Sequence, residues 1–201
     1  MSKILVTGAS GFVGHAVIKS LREQGHVICG TTRDETAKRG PENIPLYLVP
    51  KLNKDTDWDN VITGADVIIH LAAVSHANKS NKDPHSTFDH SLRTLENTLD
   101  FAKNPKTHVI YMSSSMVYGN FEKDFVDEES QCNPIGIYGT LKYSGELIVK
   151  AYNNGAVEYE YGGERFSSFK GQAEPEPTKK ETFYQAKLQL GPQKVVLLHL
   201  H

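Results

Sequence analysis

Short apolar runs alternate with amphipathic stretches along the first three-quarters of the chain. The apolar runs predict five strands, at Ile4–Thr7, Val27–Thr31, Leu46–Val49, Asp66–Leu71 and His108–Ser113. The amphipathic stretches predict three long helices and one short turn, at Phe12–Gln24, Ser86–Lys103, Tyr138–Asn153 and Trp58–Ile62. Strands separated by helical segments are typical of βαβ units, and strands that are apolar throughout are covered on both faces. The pattern predicts an α/β fold with a doubly wound parallel sheet.

The turn between the first strand and the first helix contains three evenly spaced glycines, Gly8, Gly11 and Gly14. Gly8 allows a sharp turn, Gly11 has no Cβ to block the approach of phosphates, and Gly14 lets the helix pack closely on the sheet. A strand, a glycine-rich turn and a helix in this order place a dinucleotide pyrophosphate at the helix N-terminus. The alternative, a glycine-rich loop without a ligand, fits this context less well.

Composition narrows the class of protein. A chain of 201 residues fits a single α/β core with a small appendage, and a formal net charge of −2 gives no reason to expect nucleic acid or an anionic membrane. No apolar run approaches the ~20 residues of a membrane-spanning helix, and the N-terminus lacks a secretion signal. The two cysteines have no metal-ligand spacing, and no acidic or cysteine partners complete a metal set around the histidines. We expect a cytoplasmic protein with no metal site.

The pattern changes after about residue 153. Two short strands and a helix are expected here, at Glu158–Tyr161, Val195–Leu198 and Thr182–Leu190. Residues 173–181 are rich in proline and charge, which indicates a solvated linker. We therefore expect a dinucleotide-binding domain over residues 1–155 and a short, irregular C-terminal segment over residues 156–201.

Two later segments carry candidate chemistry. The serines of the Tyr111–Gly119 segment follow a predicted central strand, and Tyr138 and Lys142 lie four residues apart on one face of the next long helix. A protonated amine near a phenol lowers the phenol pKa from ~10, which would let Tyr138 take a proton from a hydroxyl as hydride leaves the carbon. The same spacing recurs at Tyr47 and Lys51 on a strand-like stretch, so the spacing alone is weak evidence.

With these segments the chain resembles the extended short-chain dehydrogenases/reductases of the NAD-dependent epimerase/dehydratase type. The resemblance rests on the glycine loop, on the DVIIHLAA strand that starts at Asp66, on Ser114 to Gly119 and on the Tyr138/Lys142 pair, and it covers residues 1 to about 153. It implies a Rossmann-type domain. It further implies that Ser114 polarises the substrate, that Tyr138 is the acid/base and that Lys142 binds the nicotinamide ribose and tunes the phenol.

The resemblance also implies a set of cofactor-binding residues: Gly8, Ser10, Gly11, Phe12, Val13, Gly14, Thr32, Arg33, Leu71, Ala72, Ala73, Tyr138 and Lys142. The family often has an aspartate at the end of the second strand, which binds the adenosine ribose. Here Thr32 and Arg33 occupy that region, and a cation suits a 2′-phosphate, so NADP is favoured over NAD. The neighbouring Asp34 leaves both cofactors open.

Two departures from the family pattern bear on function. The family's active-site asparagine falls near Ser91, and Ser115-Met116 stands where dehydratases usually place an acidic pair. The leading hypothesis is therefore an NAD(P)-dependent epimerase or oxidoreductase that acts on a nucleotide-sugar hydroxyl by transient hydride transfer. Because little chain follows residue 153, a truncated, catalytically impaired dinucleotide-binding protein and an NADPH reductase of small carbonyl compounds are the alternatives. The resemblance also implies a homodimer.

Overall fold

The computed structural model describes residues 1–37, 39–49, 64–74, 77–102, 107–120, 126–127, 130–153, 158–161, 164–167 and 196–198. Its strands are β1 (Lys3–Thr7), β2 (Val27–Thr32), β3 (Leu46–Leu48), β4 (Val67–His70), β5 (His108–Met112), β6 (Glu158–Tyr161), β7 (Glu164–Ser167) and β8 (Val196–Leu198). Six of these form a parallel sheet in the order β3-β2-β1-β4-β5-β8, and β6 pairs with β7 in an antiparallel hairpin.

The sheet confirms the predicted fold class. The five strands predicted in the first three-quarters of the chain are all present, with ends that differ by one residue. The expected last strand corresponds to β8, which pairs with β5. Strand order reverses between β1 and β4, and ligands of open α/β sheets bind outside the carboxyl ends of the strands at such a switch point. The division at residue 155 stays a prediction.

Five α-helices are described: α1 (Phe12–Glu23), α2 (Ala77–Lys82), α3 (Pro84–Phe88), α4 (Thr94–Phe101) and α5 (Gly136–Asn153). Short 3₁₀ turns occur at Pro41–Asn43 and Ser115–Val117. The expected turn at 58–62 and the expected helix at 182–190 lie outside the described residues. Among the described helices, none is both long and apolar enough to cross a membrane.

The prediction of one continuous helix over Ser86–Lys103 is wrong in detail. Helix starts at Pro84, and a π-helical turn over Asp89–Arg93 separates α3 from α4. The hydroxyl of Thr94 lies within 3.1 Å of two carbonyl oxygens of this turn and bonds to the backbone there. Helix α2 was not expected because its sequence, ANKSNK, has no apolar periodicity and buries only a serine.

Two hydrophobic clusters cover the two faces of the sheet. Alternate residues of β1 divide between them: Ile4 and Val6 pack with Ile18 of α1, whereas Leu5 packs on the other face with Leu95 of α4. This division follows from the alternation of side chains along a strand. Both faces of the central strands are therefore buried, as their continuous apolar runs predicted.

Gly14 provides a test of how closely α1 packs on the sheet. A Cβ at this position would lie 2.7 Å from the carbonyl oxygens of both Gly8 and Ala9, which are backbone atoms and cannot move aside easily. We expect Gly14→Ala to lower the free energy of unfolding by about 1–3 kcal/mol, measured by urea denaturation. Gly11→Ala is the matched control, because its Cβ would meet a single oxygen at 3.2 Å. Equal losses in the two variants would contradict this account.

Candidate functional site

The carboxyl ends of β1, β4 and β5 meet at one edge of the sheet. Thr7 of β1 lies beside His70 of β4, which lies beside Tyr111 of β5. The segments that follow these strands are the glycine loop, the Leu71–Ala73 turn and the serine segment. The sheet thus assembles all three predicted site segments at the switch point.

Thr7 joins the glycine loop to the turn after β4. Its hydroxyl oxygen accepts hydrogen bonds from the amides of Leu71 and Ala72, both at 3.2 Å. Gly8 has a φ of 71°, and a Cβ there would lie 3.0 Å from the Ala72 nitrogen. The two predicted cofactor-binding segments are therefore in contact. Sequence reasoning did not single out Thr7, although a hydroxyl at the end of an apolar strand is a usable signal.

The N-terminus of α1 is open to an anion. Its N-cap residue, Gly11, forms no side-chain hydrogen bond, and the first turn carries no acidic residue. Ser10, Gly11 and Phe12 are exposed, with Phe12 95% exposed. An uncapped helix N-terminus presents amides and a partial positive charge, so this end of α1 fits the pyrophosphate of a dinucleotide.

The end of β2 carries the residues expected to read the adenosine ribose. Thr32 is buried, and its hydroxyl oxygen accepts the Asp34 amide at 3.0 Å. The Asp34 carboxylate accepts the hydroxyl and amide of Thr36, and these bonds lower the pKa of Asp34. Arg33 is exposed and has no hydrogen bond or ion pair with any other residue that the structure describes. The Asp34 carboxylate is therefore bonded within its own turn, whereas the Arg33 guanidinium has no anionic partner among the described residues.

The structure brings the side chains of Ser114 and Tyr138 together. Their side chains are hydrogen-bonded, although they come from different elements. Ser114 also accepts the Met116 amide at 3.3 Å, which caps the 3₁₀ turn. Burial raises the pKa of Tyr138, and the bond to Ser114 opposes that rise. A phenol and a hydroxyl in this arrangement can hold one oxygen of a substrate between them and exchange a proton with it.

The contacts of the Lys142 side chain differ from those that the sequence suggested. Its side chain is buried, Nζ donates to the Met112 carbonyl at 2.7 Å, and the ammonium lies 4.9 Å from the centre of the Tyr111 ring. Burial lowers the pKa of Lys142 to about 8. The expectation that Lys142 lowers the pKa of Tyr138 is wrong in this structure. Burial is the largest influence on that phenol and raises its pKa instead.

His70, at the end of β4, is buried and neutral. Its Nδ1 lies 3.2 Å from the hydroxyls of both Thr7 and Thr98. Burial and the nearby charge of Lys142 lower the pKa of His70 to about 3. Its Nε2 has no hydrogen-bond partner among the described residues. These features suit an internal packing residue, as its place in an apolar strand indicated.

Three polar residues around the site were missed or undervalued by sequence reasoning. Ser113 was not among the predicted site residues, yet its Oγ donates to Glu146 Oε1 at 2.5 Å, and both residues are only 2% exposed. Glu146 follows Lys142 by one helical turn, and an acidic residue in the buried stripe of a helix was the available signal. Ser91, in the π-helical turn, accepts the Val74 amide at 3.2 Å and ties that turn to the segment after β4.

Known proteins match most of this chain. The model of the NAD dependent epimerase/dehydratase family matches residues 4–199. UDP-glucuronate 4-epimerase 6 of Arabidopsis thaliana is 31% identical over an alignment of 170 residues, and the match covers 75% of this chain and 36% of that protein. D-erythronate dehydrogenase of Haemophilus influenzae is 29% identical over an alignment of 160 residues, and the match covers 75% of this chain and 50% of that protein.

A solved structure gives the same picture. UDP-glucuronic acid 4-epimerase from Bacillus cereus, in complex with UDP-glucuronic acid and NAD, superposes with a TM-score of 0.63 at 27% identity, covering 75% of this chain and 52% of that chain. The chain therefore spans about half, or less, of the length of the relatives it matches.

The buried ammonium predicts a specific pH dependence of stability. The Lys142 pKa falls from 10.5 to about 8 on folding, so between these values the unfolded chain binds more protons and stability rises with pH. We expect wild-type protein to gain stability relative to Lys142→Met from pH 8 to pH 10, with a constant difference below pH 8, in urea denaturation. Lys150→Met, at an exposed position of the same helix, is the control and should show a flat difference. A flat difference for Lys142→Met would overturn the assignment.

Proposed function

The chain belongs to the NAD-dependent epimerase/dehydratase family, and on that premise we propose that it is an NAD(P)-dependent epimerase/oxidoreductase acting on a nucleotide-sugar hydroxyl by transient hydride transfer. The observation that carries the proposal is the hydrogen-bonded pair of Ser114 and Tyr138 at the sheet edge where the glycine loop meets the turn after β4. The relatives named as UDP-glucuronate 4-epimerases make UDP-sugars the first substrates to try.

The residues present fit a nicotinamide dinucleotide. The open N-terminus of α1 offers the amides of Phe12 and Val13 to the pyrophosphate. The half-buried Ala72 and Ala73 are small enough for close approach beside Gly8. The nicotinamide ribose would be held by Lys142, whose ammonium would then exchange the Met112 carbonyl for a ribose hydroxyl. When bound, the nicotinamide ring supplies the capacity to accept and return a hydride.

Proton transfer at the sugar is assigned to Tyr138. In the oxidising direction the substrate carbon loses a hydride, its hydroxyl loses a proton to Tyr138, and Ser114 holds the oxygen as it becomes a carbonyl. In the reducing direction Tyr138 returns the proton, and hydride delivered to the other face inverts the centre. Ser115 and Met116, next to Ser114, provide no carboxyl group for loss of water, which favours epimerisation over dehydration.

A second candidate is reduction of a small carbonyl compound. One curated relative is a D-erythronate dehydrogenase, and burial raises the pKa of Tyr138 so that the protonated phenol, the acid needed for carbonyl reduction, predominates near neutrality. The two candidates separate in one experiment. The purified chain is incubated either with UDP-glucuronate and NAD, followed by ¹H NMR of the sugar, or with NADPH and small aldehydes, followed by absorbance at 340 nm. Cofactor binding without turnover in either assay would favour a binding module.

A homodimer through the helical region 84–101 and α5 is part of the proposal. Leu147 of α5 is exposed, which an interface on that helix would cover. Light scattering after gel filtration distinguishes a dimer from a monomer.

Tyr138→Phe should abolish most turnover. The variant keeps the ring but removes the atom that carries the proton, so we expect a loss on the order of 10²–10⁴-fold in kcat. Ser114→Ala should lower kcat with little change in cofactor affinity. Ser115→Ala, at a half-buried neighbouring position, is the control and should remain near wild type. A Tyr138→Phe enzyme with a near wild-type rate would reject the assignment.

NADPH should bind more tightly than NADH if Arg33 meets a 2′-phosphate. We expect Arg33→Ala to weaken NADPH binding by roughly 10-fold to 100-fold, as for the loss of a charge-assisted hydrogen bond, and to leave NADH affinity unchanged. Fluorescence titration of both cofactors measures this. Arg22→Ala, at the far end of α1, is the charge-matched control. Tighter binding of NADH by wild-type protein would show that the cofactor preference is for NAD.

A further inference from the structure

Four consecutive residues, 111 to 114, join the end of β5 to α5 by hydrogen bonds. Their partners, in chain order, are the backbone carbonyl of Lys142, the ammonium of Lys142, the carboxyl group of Glu146 and the phenol of Tyr138. The last of these bonds is the proposed reacting pair. The other three join the same strand end to the same helix, so they hold the two elements in one relative position.

The bond between Ser113 and Glu146 differs from its neighbours in kind. It joins two side chains that are each 2% exposed, so neither group can exchange its partner for bulk water. A buried polar group that loses its partner costs stability, more so when the group is charged. The bond is therefore a firm constraint between strand and helix.

The spacing of residues along α5 links the Ser113–Glu146 bond to the position of the reacting pair, Ser114 and Tyr138. Glu146 follows Tyr138 by eight residues, or about 12 Å along the helix at 1.5 Å per residue. Ser113 immediately precedes Ser114 in the chain. The Ser113–Glu146 bond therefore holds α5 at a point about two turns C-terminal to Tyr138. Close packing supports the same point, because a Cβ at Gly145 would overlap the hydroxyl of Tyr111.

We propose that Glu146 is a positioning residue: by accepting the Ser113 hydroxyl, it sets the contact between the Ser114 hydroxyl and the Tyr138 phenol. Glu146 itself does not touch substrate. The catalytic consequence rests on the proposed function, whereas the positioning effect can be measured without cofactor or turnover.

A purely electrostatic role for Glu146 makes the opposite predictions. Tyr111 and Cys132 are titratable groups near it, and its charge adds to the effect of burial in raising the pKa of both. Two substitutions separate the alternatives. Glu146→Gln keeps the length and the acceptor oxygen but removes the charge, whereas Glu146→Asp keeps the charge but is one methylene too short to reach Ser113.

The readout is the ¹³C chemical shift of the Tyr138 ζ carbon in tyrosine-labelled protein, assigned by its loss in Tyr138→Phe. Ser114→Ala defines the shift that follows loss of the Ser114 contact. We expect Glu146→Asp and Ser113→Ala to move the resonance in that same direction by at least half as much, and Glu146→Gln to leave it in place. In the Ser114→Ala background, Glu146→Asp should add nothing. Thr107→Val, which removes a hydroxyl at the opposite end of the sheet beside β5, is the matched control.

Turnover gives a second readout. Glu146→Asp should lower kcat by roughly 10-fold to 100-fold with little change in KM, since small misplacement of reacting groups acts on the chemical step, and Glu146→Gln should restore it. If Ser113→Ala fails to fold, the comparison of Glu146→Gln with Glu146→Asp still distinguishes a positioning role from an electrostatic one. A Gln variant that shifts the resonance while Asp does not would overturn the positioning role in favour of charge. If wild-type protein binds no cofactor, the proposed function is refuted. The resonance experiment would still test the positioning role of Glu146.

Discussion

The ammonium group of Lys142 is buried between the end of β5 and α5, and the surrounding chemistry depends on how it is held. The Met112 carbonyl and the face of the Tyr111 ring are the groups that stabilise the charge there. Even so, burial lowers the pKa of Lys142 to about 8, and the same charge helps to keep His70 neutral. Helix α5 cannot slide along β5 without separating a desolvated charge from its partners. Together with the Ser113–Glu146 bond, these contacts anchor the helix that carries Tyr138.

The parallel sheet supplies the other half of the arrangement. Thr7, His70 and Tyr111 end up side by side because three consecutive strands of the sheet share one direction and one register. The Thr7 hydroxyl then binds the backbone after β4 and draws that turn against Gly8. Segments that are sixty and more residues apart in the chain thereby form one surface, with the open end of α1 beside it.

The state of Tyr138 links this architecture to chemistry. The sequence resemblance suggested a phenol whose pKa is lowered by Lys142, but burial raises that pKa, and the lysine is bound to a carbonyl oxygen. The resting site therefore holds a protonated acid hydrogen-bonded to Ser114. A protonated phenol can donate a proton, and a further positive charge nearby would be needed to lower its pKa before it could act as a base. Family membership leaves both directions open, because the chain spans about half, or less, of its relatives.

The five strands in the first three-quarters of the chain, helix α1 and the glycine loop follow from the sequence alone. The continuous apolar run of β1, the amphipathic spacing of α1 and the need for glycine at position 14 are consequences of local geometry. The sequence also placed Ser114 and Tyr138 at the right strand end and helix start. Three features depend instead on how distant segments pack together. They are the direction of the Lys142 side chain, the Ser113–Glu146 bond and the π-helical turn. Each depends on which atoms of distant segments lie within about 3 Å of each other, and packing of helix on sheet sets those distances.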